Sequence, residues 1–147
     1  MTTATIGSAL IDTTRAAASA PVSGATRGVP RLLLRLEGAV ALAAALVAFA
    51  HLGGRWGWFA ALFLAPDLSL LGYLATPRVG AVAYNAAHSY VGPALLALAA
   101  VWLGEPSLLS GAAVWVAHVG FDRALGYGLK YASAFGDTHL GRVGRGA

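Results

Sequence analysis

Residues 79–103 read VGAVAYNAAHSYVGPALLALAAVWL and contain no Asp, Glu, Lys or Arg. A membrane-spanning helix needs about 20 mostly apolar residues, and this run reaches that length without a charge. Its apolar residues are continuous and do not alternate, which disfavours a strand of an outer-membrane barrel. Working outward, three comparable segments appear: Leu32–Leu52, Trp56–Leu74 and Pro106–Leu125. The first carries Arg35 and Glu37 near its start, the second has Asp67 as its only charge, and the last is clean until Asp122 and Arg123. Gly53-Gly54, Thr76-Pro77 and Gly104-Glu105-Pro106 punctuate the gaps. Links this short make neighbouring helices antiparallel. The sequence therefore predicts an all-α membrane protein. A four-helix transmembrane bundle over 31–131 lies between a Thr/Ser/Ala-rich, solvated arm (1–30) and a C-terminal tail (132–147).

Composition agrees with this class. Of 147 residues, 58% are hydrophobic and 11% charged, against about 25% charged in an ordinary soluble domain. The absence of Cys excludes a disulfide scaffold, a thiolate metal site, an iron–sulfur cluster and a cysteine nucleophile. The net charge of +4 does not point to nucleic acid, because the cations sit at segment ends. The partner they imply is the lipid bilayer. Arg15, Arg27, Arg31, Arg35, Arg78, Arg123, Lys130, Arg142 and Arg145 fall on one side of a four-span chain, and Arg55 alone falls on the other. By the positive-inside rule, both termini and the middle loop are cytoplasmic. Trp56 and Trp58 suit the outer interface. The Ala48-Phe49-Ala50 sequence resembles a signal-peptidase site, but the long leading region and Glu37 argue against cleavage.

The polar residues converge in depth. At about 1.5 Å of rise per residue, Glu37, Asp67, Asn85 and His88 each lie about two turns from the cytoplasmic end of their segment. His118 and Asp122 occupy the last two turns of the fourth. Residues at i, i+4 (His118, Asp122) or i, i+3 (Asn85, His88) share a helix face. Ionisable groups inside a membrane usually face the bundle interior and find partners. Asp67, His88, His118 and Asp122 are therefore candidate ligands of one divalent metal ion, with Glu37 as candidate base. Asn85, Tyr84 and Tyr73 are supporting polar groups; Arg123 and Lys130 read first as topological anchors at the cytoplasmic interface and, as the alternative, as holders of a lipid or substrate phosphate. Plainer readings stand beside these: a His–Asp hydrogen bond, a cap at Asp67, an interfacial Asp122–Arg123 pair, and Asn85 as interhelical glue. His51 reads as interfacial. His139, in GDTHL beyond the last segment, reads as part of a solvated tail and not as a group folded onto the cytoplasmic mouth. No phosphate loop, dinucleotide fingerprint, G-x-S-x-G or H-E-x-x-H motif occurs.

The stretches LLRLEG (33–38), APDLSLLGYL (65–74), YNAAHSYVGP (84–93), HVGFDRALGYGLKY (118–131) and THLG (138–141) resemble a family of small bacterial membrane proteins known as domain of unknown function 4260. The resemblance runs from about Arg31 to Gly141. It implies a multi-pass protein of the bacterial cytoplasmic (inner) membrane and assigns no reaction. Pro66-Asp67 and His88-Ser89 are also similar to pairs in membrane-bound metal-dependent hydrolases, a likeness too short to transfer roles. Three functions remain open at this point. One is a metal-dependent hydrolase acting on an amphiphile. Another is a proton- or cation-coupled transporter, which at this length would work as a homo-oligomer. The third is a non-catalytic structural or partner-binding protein.

Overall fold

Helix boundaries follow local chemistry. Pro77 and Pro106 occupy the first turns of their helices, where the missing N–H costs nothing. The Thr76 hydroxyl accepts a hydrogen bond from the Val79 amide at 3.1 Å, a side-chain cap. Gly104 and Gly126 close two helices in the left-handed region, at φ 69° and 100°. The structure is a computed structural model and describes residues 22–143. Its helices are α1 (Gly28–His51), α2 (Trp56–Phe63), a 3-10 segment (Ala65–Leu74), α3 (Pro77–Ala87), α4 (Val91–Leu103) and α5 (Pro106–Leu125). A short antiparallel hairpin follows: β1 (Asp137–Thr138) and β2 (Gly141–Arg142), with Asp137 opposite Arg142. Residues 1–21, most of the expected arm, lie outside the described residues, and α1 begins inside the arm's expected limit at Gly28.

The centre of the fold is α5. It buries Ala112, Ala113, Val114, Ala117, His118, Val119, Gly120 and Arg123, whereas α2 and the 3-10 segment bury nothing fully. α1 lies directly on it. A Cβ on Gly120 would stand 2.7 Å from both the Gly38 carbonyl oxygen and the Leu42 amide nitrogen. Gly38 in turn would meet Arg123 and the Ala124 backbone. Small residues that let helix backbones touch are the usual basis of packing inside a bilayer, where burial of apolar surface gives no preference for helix over lipid. The outward faces are apolar, with Trp102 86% and Leu74 85% exposed. Trp56, Trp58 and Trp102 are exposed at the α1–α2 and α4–α5 ends.

Gly28–His51 (mean hydropathy 2.0) and Trp56–Leu74 (1.4) are long and apolar enough to cross a membrane, and α3 with α4 makes a third candidate if that bent pair is one span. The expected continuous helix over 79–103 does not form. α3 and α4 meet at a 41° bend through His88–Tyr90. Pro93 supplies the cause: it has no N–H for the Ser89 carbonyl, and its ring clashes there. The second segment is likewise not one α-helix. Around Ala65-Pro66-Asp67 it changes to ten residues of 3-10 helix, a run far longer than usual and a common mark of a functional hinge.

The region expected as a tail also differs. Lys130 bridges to Thr138, and the hairpin folds back with Thr138 (1%) and Leu140 (0%) buried. Hydropathy patterning does not reveal this, because the docking rests on backbone and side-chain hydrogen bonds.

The α1–α5 contact yields a test. Gly120→Val should destabilise the detergent-solubilised protein by about 1–3 kcal/mol or more through overpacking. Gly57→Ala, at a site where an added Cβ meets nothing within 4 Å, should be near neutral. Thermal unfolding followed by circular dichroism distinguishes the two.

A candidate metal centre at the helix break

The break that Pro93 imposes presents His88. In an unbroken helix the carbonyls of Ala87 and His88 would accept from the amides four residues on. Here Trp115 Nε1 donates to the Ala87 carbonyl at 2.6 Å and Arg123 Nη2 to the His88 carbonyl at 3.2 Å. Both donors belong to α5, so the same contacts that satisfy the break draw α5 against it. Gly92 allows this, since a Cβ there would stand 2.6 Å from the Trp115 ring. His118 and Asp122, one turn apart on α5, then face His88, and Asp67 enters from the 3-10 segment.

The distances are close. His88 Nε2 lies 3.1 Å from His118 Nε2, 3.4 Å from Asp67 Oδ1 and 3.6 Å from Asp122 Oδ2. His118 Nε2 lies 3.8 Å from Asp67 Oδ1 and 4.0 Å from Asp122 Oδ2. Both imidazoles are 2% exposed. His88 Nδ1 is 3.0 Å from the Tyr84 carbonyl, an acceptor only. Nδ1 therefore carries a proton, and Nε2 is the atom directed into the cluster. This is how a metal-binding histidine is usually oriented. The Tyr84 ring stacks on His88 at 3.7 Å, and its hydroxyl donates to Asp122 Oδ2 at 3.1 Å. His118 Nδ1 is buried without a hydrogen-bond partner, with Phe63 packed edge-on at 5.3 Å.

The ligand atoms of Asp67, His88 and His118 thus lie within 4.8 Å of one another, and Asp122 Oδ2 stands 3.6 and 4.0 Å from the two imidazole nitrogens. Protons on the imidazoles can join His88 to His118 and to Asp67, and a divalent cation would take the same nitrogen and oxygen atoms as ligands. Tetrahedral zinc with bonds of about 2.0–2.1 Å holds its ligand atoms about 3.3 Å apart, and the Asp67, His88 and His118 atoms stand 3.1–3.8 Å from one another.

The other residues singled out by the sequence fall into two groups. Asn85 supports the site from outside: its amide donates to the Lys130 carbonyl at 2.9 Å and accepts from the Lys130 amide at 2.7 Å. Lys130 is 8% exposed. Its ammonium donates to the Phe135 carbonyl at 2.8 Å and lies over the rings of Phe135 (3.6 Å) and Tyr84 (4.8 Å). Burial holds its pKa below the ordinary lysine value, and Asp122 opposes that shift. Tyr73 stays outside the cluster. Its hydroxyl is buried without a partner, and its ring meets Phe135 edge-on. Glu37 is not brought to the site. Consecutive helical residues point about 100° apart, and Gly38 occupies the position facing α5, which leaves Glu37 exposed. His51 is exposed, as expected, and donates to the Val47 carbonyl at 2.9 Å.

The sequence reads His139 as solvated, and the structure corrects this. The Leu129 amide donates to its Nδ1 at 2.8 Å, and both ring nitrogens lie 3.4 Å from Arg123 Nη1. Thr26 donates twice to the His139 carbonyl, at 2.8 and 2.9 Å. Arg123 therefore links the hairpin to the backbone of His88. THLG is visible as a motif, but nothing in its hydropathy marks it as docked.

Two openings differ in character. A cavity of about 450 Å³ is lined by Asp67, Asp122, Tyr84, Tyr127, Lys130 and Phe135, with Gly136 and Val143 of the C-terminal region at its edge. On the other side, an aromatic ladder runs from Phe49 through Phe59 to Phe63 and ends against His118 and Phe121. The site opens towards the C-terminal hairpin, and in the opposite direction rings pack against His118.

Residues 31–143 match a family described as a domain of unknown function, DUF4260. The chain belongs to this family. Among curated proteins and among solved structures nothing matches. The DUF4260 region takes in all four clustered residues and the docked hairpin.

Protonation should control the docking of that hairpin. Burial, and then the Arg123 charge, hold His139 below its ordinary value of 6.5. A group with a depressed pKa in the folded state favours folding while neutral, so docking is at full strength above about pH 6.5 and weakens as the pH falls towards the folded-state pKa. Asp137 is held below 3.8, chiefly by its hydrogen bond from Arg142, so its contribution persists to lower pH. Hydrogen exchange at the Leu129 and Leu140 amides, corrected for intrinsic rates, should show less protection at pH 5 than at pH 7.5. His139→Gln should flatten that difference.

Proposed function

We propose that this DUF4260 protein is a four-span membrane protein of the bacterial cytoplasmic membrane that carries a metal-dependent hydrolytic centre. Asp67, His88, His118 and Asp122 are the metal ligands in this reading. The observation that carries it is the group of Asp67, His88 and His118 ligand atoms within 4.8 Å, with Asp122 beside both imidazoles and His88 oriented by the Tyr84 carbonyl. A divalent ion at such a centre lowers the pKa of a bound water towards ~7 and makes it a nucleophile at neutral pH. The cavity beside the carboxylates gives a substrate access, and its mixed aromatic and polar lining suits an amphiphile. α5 is the fourth span in this reading, with its His118, Asp122 and Arg123 shielded from lipid by the other helices.

Metal content is the direct test. Protein purified in detergent without chelator should hold about one zinc, manganese or iron ion by inductively coupled plasma mass spectrometry. His118→Ala and Asp122→Ala should lose it. Glu37→Gln should keep it. Wild-type protein devoid of metal, and unable to take it up, overturns the reading.

Topology has its own test, because the chain contains no Cys. Leu52→Cys and Glu105→Cys should react with a membrane-impermeant maleimide on intact cells. Ala75→Cys and Ala132→Cys should react only after lysis. Labelling of Ala132→Cys from outside would reverse the orientation or remove one span.

A further inference from the structure

Lys130 and Arg123 are buried cations, 8% and 9% exposed, and among the described residues neither has a carboxylate within 4 Å. Buried charges are normally paired. The carboxylates that share a cavity with Lys130 are those of Asp67 and Asp122. A divalent ion at the centre takes both as its counter-charge. Lys130 and Arg123 are left uncompensated in a weakly screened setting, where such an excess is costly. The cavity that would receive the compensating anion is present. Both carboxylates and Lys130 line it, and Leu70, Tyr127, Phe135 and Val143 supply its apolar remainder. The Lys130 ammonium makes one hydrogen bond, to the Phe135 carbonyl, and an ammonium has three donors. At about 450 Å³ the cavity is of the size that holds a small organic ligand.

We propose that this cavity binds the phosphoryl group of a phosphate monoester, with Lys130 as its direct counter-charge, and that metal and phosphate bind cooperatively. The proposal rests on the metal reading above and names the substrate class of that site. A dianion offsets the charge that a divalent ion adds, so each ligand favours the other by the same factor. The apolar lining favours an organic phosphate over the bare ion. A lipid headgroup and a soluble ester share this chemistry. Lys130 is held in place independently of its charge, because Asn85 bonds its backbone amide and carbonyl. Replacing the side chain therefore removes the cation and leaves the surrounding turn attached.

The experiment titrates Mn2+ into the detergent-purified full chain by electron paramagnetic resonance. It is run alone, with glycerol 2-phosphate, with dihexanoyl phosphatidic acid, and with glycerol as the uncharged control. Either phosphate should tighten Mn2+ binding at least about fivefold, and glycerol should not. Tightening by glycerol 2-phosphate identifies a soluble ester as sufficient. Tightening by the phosphatidic acid alone identifies a headgroup. Lys130→Met should bind Mn2+ alone more tightly than the wild type, because a neighbouring cation is gone, and should lose the phosphate effect, whereas Lys130→Arg should retain it. This comparison also removes any contribution from Mn2+–phosphate association in solution. Equal Mn2+ affinity with and without both phosphates, or an effect that survives in Lys130→Met, overturns the proposal and leaves the metal centre standing. Failure of the wild type to bind Mn2+, Zn2+ or Fe2+ overturns both.

Discussion

Pro93 cannot complete the helix that carries His88, and much of the site depends on that constraint. The break frees two backbone carbonyls, and unsatisfied buried backbone groups are costly. α5 supplies both donors, Trp115 Nε1 and Arg123 Nη2. Their positions fix the rotation of α5 against α3 and α4, so that His118 and Asp122 face His88. The backbone defect and the polar cluster are therefore one arrangement. A straight third helix would have left neither an exposed carbonyl for Arg123 nor a histidine at a corner.

The 3-10 segment plays the matching part on the other side. Ala65–Leu74 departs from α-helical geometry where Asp67 has to reach the two imidazoles. Irregular backbone at membrane depth is tolerated where it is buried in protein or lines a cavity, and Asp67 lines one. Two helix irregularities, one in each of two neighbouring segments, thus meet at one polar centre. The apolar exterior and the glycine contact between α1 and α5 keep the rest of the bundle regular around it.

The hairpin extends the same network out of the helices. Arg123 joins the His88 carbonyl to the His139 ring, and Asn85 joins α3 to the turn at Lys130. A charge placed at 123 would be expensive in hydrocarbon. Here its hydrogen-bond partners come from the helix break and from the folded-back C-terminal segment, which therefore helps to set the position of a candidate metal ligand.

The sequence by itself determined the helical class, the apolar composition suited to a membrane and the turns between segments. Composition, segment length and the rise per residue are local properties, and they carry that much. Proline at the start of α3 and α5 and glycine at the ends of α4 and α5 are legible for the same reason. Tertiary structure decided the rest. Depth does not fix helix rotation, so only packing could bring Asp67, His88, His118 and Asp122 together and turn Glu37 away. The effect of Pro93 is written in the chain but hidden by the unbroken apolar run around it. The hairpin and the docked His139 escape a reading of the sequence because their docking uses hydrogen bonds to distant backbone groups, and those partners exist only once the helices have assembled.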